Sequence, residues 1–307
     1  MNDKFGRKLE DLRISVTDRC NFRCRYCMPE ELYGEAFEFL KKDQILSFEE
    51  IIRLCEIFIS LGVKKIRITG GEPLVRKDVS DLINSISKIN NKIEIAMTTN
   101  GYLLEKYASK LYRSGLNRLT VSLDSLDNNI FQKMSGKKFD VQKVIKGIKK
   151  AKNEGFKNIK INTVVRKGIN EESIIDLVEY CRSESHILRF IEYMDVGTLN
   201  SWDKKSVVNS KDVQDIISNK YKLIPINKNY PSETSNRFNF VDGKGEIGFI
   251  SSISDPFCGN CTRARITSDG KLVTCLFSNK GMNLKSLLRS RKSNKKITNE
   301  IIKVWKL

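Results

Sequence analysis

Three thiols fall within eight residues in "TDRCNFRCRYCMPE": Cys20, Cys24 and Cys27. A second trio, Cys258, Cys261 and Cys275, lies in "DPFCGNCTRARITSDGKLVTC" near the other end of the chain. Thiolates are soft ligands, suited to zinc, copper or iron-sulfur clusters. A structural zinc site needs four protein ligands, and neither trio has a fourth Cys or His nearby. The only histidine, His186, falls between a predicted helix and a predicted strand, where a packing or surface role is expected. Both sets are incomplete for a structural zinc site. Cys55 and Cys181 stand alone in apolar helical patterns and are expected in the core.

Composition narrows these options. The 307 residues are 40% hydrophobic and 30% charged, ordinary for a folded chain of one large or two ordinary domains. The N-terminus "MNDKFGRKLEDLRIS" has no apolar signal segment, and no apolar run approaches the ~18 residues of a membrane span. A cytoplasmic protein with no membrane partner is expected, and there thiols are metal ligands or catalytic groups rather than disulfides. The 55 Lys+Arg against 37 Asp+Glu give a net charge of +18, which favours an anionic partner. The lysines are spread over many amphipathic segments, however, so solvated faces account for much of that excess.

The elements that must position the thiols can be read from periodicity. "LRISV", "KKIRIT", "IEIAMTT", "RLTVSL", "IKINTVV" and "ILRFIEYM" are six predicted strands, the first five each followed by at least one helix. Repeated βα units predict a parallel sheet, open or curled into a partial barrel. Ser47 with Glu50 reads as a capping box, and Gly62, Gly115 and Gly155 as helix stops. From about 195 to 245 the chain is polar and weakly periodic, so a connection to a smaller C-terminal unit is expected, with units at 1–225 and 226–307. That unit holds "GEIGFISS", a hairpin turning at Asp269 and Gly270, and a helical tail. In parallel sheets reactive groups gather at the carboxyl ends of strands. The first thiol trio, "TGGEP" at 69–73, the stretch 98–101, and Ser122 with Asp124 all fall there.

The spacing Cys20-x3-Cys24-x2-Cys27 resembles the signature of radical S-adenosylmethionine (SAM) enzymes. In them three thiolates hold a 4Fe-4S cluster, and the fourth iron takes the amino and carboxylate groups of SAM. "GGEP" alone is ordinary turn chemistry. In register with the trio it looks like the loop that binds the methionyl amino group, Gly71 allowing close backbone approach and Glu72 accepting from an ammonium. More of the chain, from about residue 9 to 288, resembles one family: the GTP 3',8-cyclase, or molybdenum cofactor biosynthesis protein A. The matching stretches include "DLRISVTDRCNFRCRYCMP", "LGVKKIRITGGEPLVRKD", "TTNG", "RLTVSLDS", "RFIEYMDVG", "FCGNCTRARITSDGKLVTCLF" and "NLKSLLR".

This resemblance implies an α/β fold, a partial (β/α)6 TIM-like barrel of radical SAM type closed by a small C-terminal iron-sulfur domain. It implies two 4Fe-4S clusters and SAM as cofactors, and conversion of GTP to 3',8-cyclo-7,8-dihydro-GTP. The N-terminal cluster would reduce SAM, and the resulting deoxyadenosyl radical would take the 3' hydrogen of GTP. The substrate radical would then attack C8 of the guanine held by the second cluster. Carried over, the SAM contacts are Tyr26, Gly71, Glu72, Ser122 and Met194. The GTP contacts are Arg13, Arg67, Thr98, Lys160, Arg263, Ala264 and Arg265, with Arg13, Arg263 and Arg265 also catalytic. A triphosphate of about four negative charges needs several fixed cations, and guanidinium groups bind phosphate in pairs of hydrogen bonds. Arg13, Arg67 and Lys160 alternate with apolar neighbours, so they face either solvent or an anion-filled lumen.

Implied partners are a reduced flavodoxin or ferredoxin as electron donor and a downstream cyclic pyranopterin monophosphate synthase. A homodimer is compatible with the sequence. Two other readings stay open: a radical SAM enzyme with an auxiliary cluster acting on a peptide, and a basic, metal-containing nucleic-acid-binding protein. The first gives no reason for a cationic lumen. The second should interleave stacking aromatics with its basic residues, and no such pattern is present. The family usually finishes in a Gly-Gly dipeptide that reaches the active site, whereas this chain finishes in "NEIIKVWKL" with no Gly after Gly281. SAM cleavage with little cyclised product is therefore expected unless a tail is supplied.

Overall fold

Alternation within the first strands dictates the architecture. In β1 (Asp11–Ser15) and β2 (Lys65–Thr69), Leu12, Ile14, Ile66 and Ile68 are fully buried, while the residues between them are polar and only partly covered. A parallel sheet ordinarily buries apolar side chains on both faces. One apolar and one polar face means that the sheet curls around a polar interior. The apolar face packs in one core with Leu54 and Phe58 of α2 (Phe48–Ser60) and Ile83 of α3 (Val79–Ile89).

The computed structural model describes residues 1–196, 202–278 and 280–306. Gly197 of the "RFIEYMDVG" stretch and Leu307 lie outside these residues. The barrel continues with β3 (Glu94–Thr99), β4 (Arg118–Ser122), β5 (Lys160–Val165) and β6 (Ile187–Glu192), all parallel and adjacent in chain order. The short α1 (Glu30–Tyr33) precedes α2 in the first connection. The later crossovers are α3, then α4 (Leu104–Arg113), then α5 (Asn128–Ser135) with α6 (Val141–Glu154), and α7 (Ile174–Glu184). The six βα strands expected from periodicity are all present. So is the capping box, with Ser47 accepting from the Glu50 N–H and Glu50 accepting from the Ser47 N–H.

The stretch from 195 to 245 is more ordered than its sequence suggests. It holds α8 (Ser210–Ser218) and an antiparallel pair, β7 (Leu223–Ile226) and β8 (Asn236–Phe240). These strands lie at the sheet edge and are half exposed, so backbone pairing holds them and the apolar period is weak. Next, β9 (Glu246–Ile250) pairs parallel with β6, and β10 (Arg263–Ile266) pairs parallel with β1. Residues 251–262 therefore bridge the two open edges of the barrel, and they carry Cys258 and Cys261. The expected hairpin runs from β10 to β11 (Lys271–Val273), with Gly270 at φ +81° in its turn. Beyond it lie β12 (Met282–Asn283), α9 (Leu284–Arg289) and α10 (Asn294–Lys306). Cys55 and Cys181 are buried in the core as expected. Among the described residues no helix is long and apolar enough to cross a membrane.

Candidate active site

Cys20, Cys24 and Cys27 line a cavity of about 210 Å³ at the carboxyl end of the barrel, together with Tyr26, Gly71, Glu72, Thr98, Ser122 and Asp124. Among the described residues no three Cys, His, Asp or Glu converge on a site for one metal ion. The thiols stand around a space instead, which suits a multi-iron cluster. Burial pushes the Cys20 thiol up to about 11 and raises Cys24 and Cys27 too, so bound metal must displace their protons.

Backbone contact between two loops builds this cavity. The Gly71 N–H donates to Thr17 O and the Glu72 N–H to Arg19 O, both at 2.8 Å. A Cβ on Gly71 would lie 2.2 Å from Arg19 O, so only glycine allows the approach. Glu72 is buried. Its carboxylate accepts from the Thr99 hydroxyl at 2.6 Å and from the backbone N–H of Asn100 and Leu74 at 2.7 and 3.0 Å. Burial pushes Glu72 up to about 7 against the pull of these bonds. The geometry thus adds a role to the one inferred from "GGEP": Glu72 clamps the loop after β3. From that loop the Asn100 amide donates to Asn21 Oδ1 at 2.8 Å and reaches 3.9 Å from Cys20 Sγ. The Tyr26 hydroxyl donates to Asp124 Oδ2 at 2.8 Å, while Asp124 Oδ1 accepts from the Val164 N–H at 2.9 Å. Burial pushes Asp124 up to about 6.

A second cavity, of about 440 Å³, adjoins the first: Thr69 and Thr98 line both. Cys258, Cys261 and Cys275 line it, as do Arg13, Arg67, Arg189, Arg263 and Arg265. Met194, expected at SAM, lines this larger cavity and not the one with the first trio. Burial raises the Cys261 thiol, but the charge of Arg263 and hydrogen bonds from it prevail, and the net direction is down. That favours the metal-binding thiolate.

Among the described residues these arginines form no ion pair within 4.0 Å. Arg67 donates to Thr98 Oγ1 at 3.0 Å, and Arg189 Nε donates to Asn162 Oδ1 at 3.0 Å. The buried Nε atoms of Arg13 and Arg263 have no hydrogen-bond partner among the described residues. Burial, then the field of Arg265, pushes Arg13 down to about 9, and burial with Arg67 pushes Arg189 down to about 10. Buried N–H groups without acceptors among the described residues suit an anionic ligand. Lys160 is placed in a third cavity of about 380 Å³ toward the amino ends of the strands, and Arg13, Arg67, Arg189 and Arg263 line it as well. Ala264 does not join the lumen. Its position in β10 registers with Leu12, on the opposite face to Arg263 and Arg265, so only its backbone is within reach. Sequence reasoning missed Arg189, although it alternates with Leu188 and Phe190 just as Arg13 does with its neighbours.

Residues 14–181 match the family model of the radical SAM superfamily, and residues 186–307 match that of molybdenum cofactor synthesis C. The chain is 44% identical over 306 residues to a GTP 3',8-cyclase of Staphylococcus haemolyticus, covering 99% of this chain and 90% of that one. It is 46% identical over 290 residues to a GTP 3',8-cyclase of Acidothermus cellulolyticus, covering 94% of this chain and 80% of that one. The chain belongs to the GTP 3',8-cyclase family. This family is a branch of the radical SAM superfamily; its cofactors are SAM and two 4Fe-4S clusters, and the two thiol-lined cavities fit them. Solved structures support the barrel of this cyclase family at the level of fold. Streptococcus suis SuiB bound to S-adenosylmethionine superposes with a TM-score of 0.67 over 92% of this chain and 65% of that one, at 20% identity. Native anSMEcpe with bound AdoMet gives 0.61 over 97% of this chain and 84% of that one, at 18% identity.

Proposed function

We propose that this chain is a radical SAM lyase that converts GTP to 3',8-cyclo-7,8-dihydro-GTP in molybdenum cofactor biosynthesis. The observation that carries this reading is one continuous interior with a thiol trio at each of two adjoining cavities and a cluster of arginines lining it, two of which, Arg13 and Arg263, keep a buried Nε without an acceptor among the described residues. Cys20, Cys24 and Cys27 hold the first cluster, and Cys258, Cys261 and Cys275 the second. With SAM bound beside it, a cluster held by the first trio would supply the reducing and radical chemistry that opens a ribose C–H bond. The protein's own task is to aim it. Tyr26, Gly71, Glu72 and Ser122 shape the SAM cavity, with Met194 at the boundary of the substrate space. Arg13, Arg67, Arg263 and Arg265 draw the triphosphate inward, aided by Arg189 and Lys160, and fix the ribose and base relative to the two trios. Effective molarities from such fixation reach about 10⁵ M or more. The surrounding barrel wall keeps water from a reactive centre.

Functionally the chain divides into a barrel unit at 1–225 and a C-terminal unit at 226–307, which share one sheet. The net charge of +18 suits an acidic flavodoxin or ferredoxin as reductant in the cytoplasm. The product would pass to a cyclic pyranopterin monophosphate synthase, and self-association as a dimer is compatible with the fold. The test is anaerobic reconstitution with iron and sulfide, then incubation with GTP, SAM and dithionite. Mass spectrometry should find 5'-deoxyadenosine and the cyclised nucleotide, both lost when Cys20, Cys24 and Cys27 are replaced by Ala. Stoichiometric zinc in place of iron, or no binding of GTP, would overturn the assignment.

A further inference from the structure

The loop between β7 and β8, residues 227–235, passes beneath the barrel at the amino ends of its strands. Tyr230, Ser232, Glu233 and Thr234 line the 380 Å³ cavity opposite Arg118, Lys160 and Arg189. The loop is built to stay there. Arg237 ties its base by donating to Asn227 O at 2.8 Å and to Glu246 at 2.9 and 2.7 Å. Ser235 Oγ occupies the space over Gly248, where a Cβ would lie 2.0 Å from it. At the tip the Glu233 N–H donates to Tyr230 O at 3.0 Å, and the Glu233 carboxylate accepts from the Asn229 N–H at 2.8 Å and from the Asn229 amide at 3.2 Å.

Glu233 is buried, yet none of the ion pairs among the described residues includes it. The nearby carboxylates are otherwise engaged: Glu94 pairs with Lys65 at 2.9 Å and Arg118 at 3.1 Å, and Glu246 with Arg237. Lys160, in turn, has no ion-pair partner within 4.0 Å among the described residues, although it shares the cavity with Glu233. Burial, then Arg189 and Arg118, pushes Lys160 down to about 7, and Glu233 and Glu246 oppose that fall. Glu233 opposes the corresponding shift in Arg189 as well.

We propose that the β7–β8 loop plugs the amino-terminal mouth of the barrel and that Glu233 is its built-in counter-anion, offsetting the cation cluster and weakening polyphosphate binding in proportion to phosphate charge. The proposal rests on the reading of the lumen as the GTP site. In the free protein the carboxylate steadies Lys160 and Arg189 without closing an ion pair that would have to break. When a triphosphate enters, each added negative charge meets the Glu233 charge across the shared cavity, so the lumen holds its charged ligand less tightly than the cations alone would. Glu233 is thus a specificity-determining residue that touches no reacting atom.

The experiment compares equilibrium binding of GTP, GDP, GMP, guanosine and inorganic triphosphate to the reconstituted protein and to its Glu233→Gln and Ser232→Glu variants. Glutamine keeps an acceptor for the Asn229 N–H while removing the charge. Glu233→Gln should bind GTP about tenfold more tightly, GDP by a smaller factor, and guanosine unchanged. Ser232→Glu adds a carboxylate to the same wall and should weaken GTP and inorganic triphosphate by a similar factor. Unchanged GTP affinity in a folded Glu233→Gln variant, or a gain equally large for guanosine, would overturn the proposal. If that variant does not fold, unchanged triphosphate affinity in Ser232→Glu overturns it instead. Failure of the native protein to bind GTP would count against the lumen reading itself, which keeps the two ideas separable.

Discussion

The carboxylate of Glu192 accepts hydrogen bonds from both the backbone N–H of Ser254, at 2.8 Å, and its hydroxyl, at 2.5 Å. It accepts two more, from the backbone N–H of Ile253 at 2.8 Å and of Ser210 at 2.7 Å. Glu192 ends β6, and residues 253 and 254 begin the bridge that carries Cys258 and Cys261, so one buried side chain ties the last barrel strand to the second thiol trio. Burial would raise its pKa, but the bonds from Ser254, Ser210 and Ile253 prevail and hold the carboxyl below its ordinary value. Its stabilising effect is therefore present above the ordinary carboxylate pKa and lost as pH falls through the lower folded value.

Glu192→Ala should cost about 3 kcal/mol, because three backbone donors would be left buried and unpaired. It should also loosen the second trio selectively. Reconstituted iron would fall from about eight per chain toward about four, the first cluster remaining. Iron analysis with denaturant unfolding checks both; full iron retention would show that the bridge is held by other contacts.

His186 offers a clean pH probe because it is the only histidine in the chain. It is buried, its Nε2 has no hydrogen-bond partner among the described residues, and burial, then the charge of Lys152, pushes it down to about 4 from an ordinary 6.5. Below pH 6.5 the unfolded chain binds a proton that the folded chain refuses until about pH 4. Stability contributed by the neutral ring should thus decline as pH falls through that window. In His186→Phe this part of the slope should vanish. Parallel stability curves for the two proteins between pH 7 and 5 would rule the assignment out.

What sequence could and could not reveal follows from how far apart the interacting residues lie. The cysteine trios are legible because each depends on local spacing, and Arg13 and Arg67 because strand alternation sets them on the face opposite the apolar core, though only the curl of the sheet makes that face an interior. Arg189 carries the same alternation, but its stretch offers no reactive neighbour to draw attention to it. Glu192 and Glu233 act only through pairings of β9 with β6 and β8 with β9, and no local period encodes those contacts. Ala264 shows the converse. Motif similarity puts it at the substrate, whereas the strand turns its methyl the other way. From its motif Glu72 reads as a ligand acceptor, and only the folded loops show that Thr99 and Asn100 already donate to it.

Arg13 should prove a residue that weakens the free protein and strengthens its complex. Its Nε is buried and without an acceptor among the described residues, beside the charges of Arg265, Arg67 and Arg263, and Asp11 offsets that field only in part. Arg13→Met, similar in reach but uncharged, should stabilise the ligand-free chain by about 1–3 kcal/mol. It should weaken GTP binding by about tenfold or more. Thermal unfolding with and without GTP reads both effects. A variant that is less stable in the absence of nucleotide would mean that Arg13 is satisfied by the protein itself.

Gly71 provides the sharpest steric test, since a single methyl group there meets backbone and not a movable side chain. The added Cβ would lie 2.2 Å from Arg19 O and 2.5 Å from Arg19 C. The loops must separate to admit it, which would stretch the bonds from Gly71 N–H to Thr17 O and from Glu72 N–H to Arg19 O. Overpacking of this kind costs about 3 kcal/mol. The larger effect should be on the cavity that the two loops enclose, because Cys20 directly follows Arg19. Gly71→Ala should therefore lose the first cluster and keep the second, leaving about four irons per chain. Gly259→Ala is the control: it lies beside Cys258, a methyl group there would meet no atom within 4 Å, and the variant should keep the full iron content. Equal iron in both variants would show that the "GGEP" loop can withdraw without disturbing the thiols it packs against.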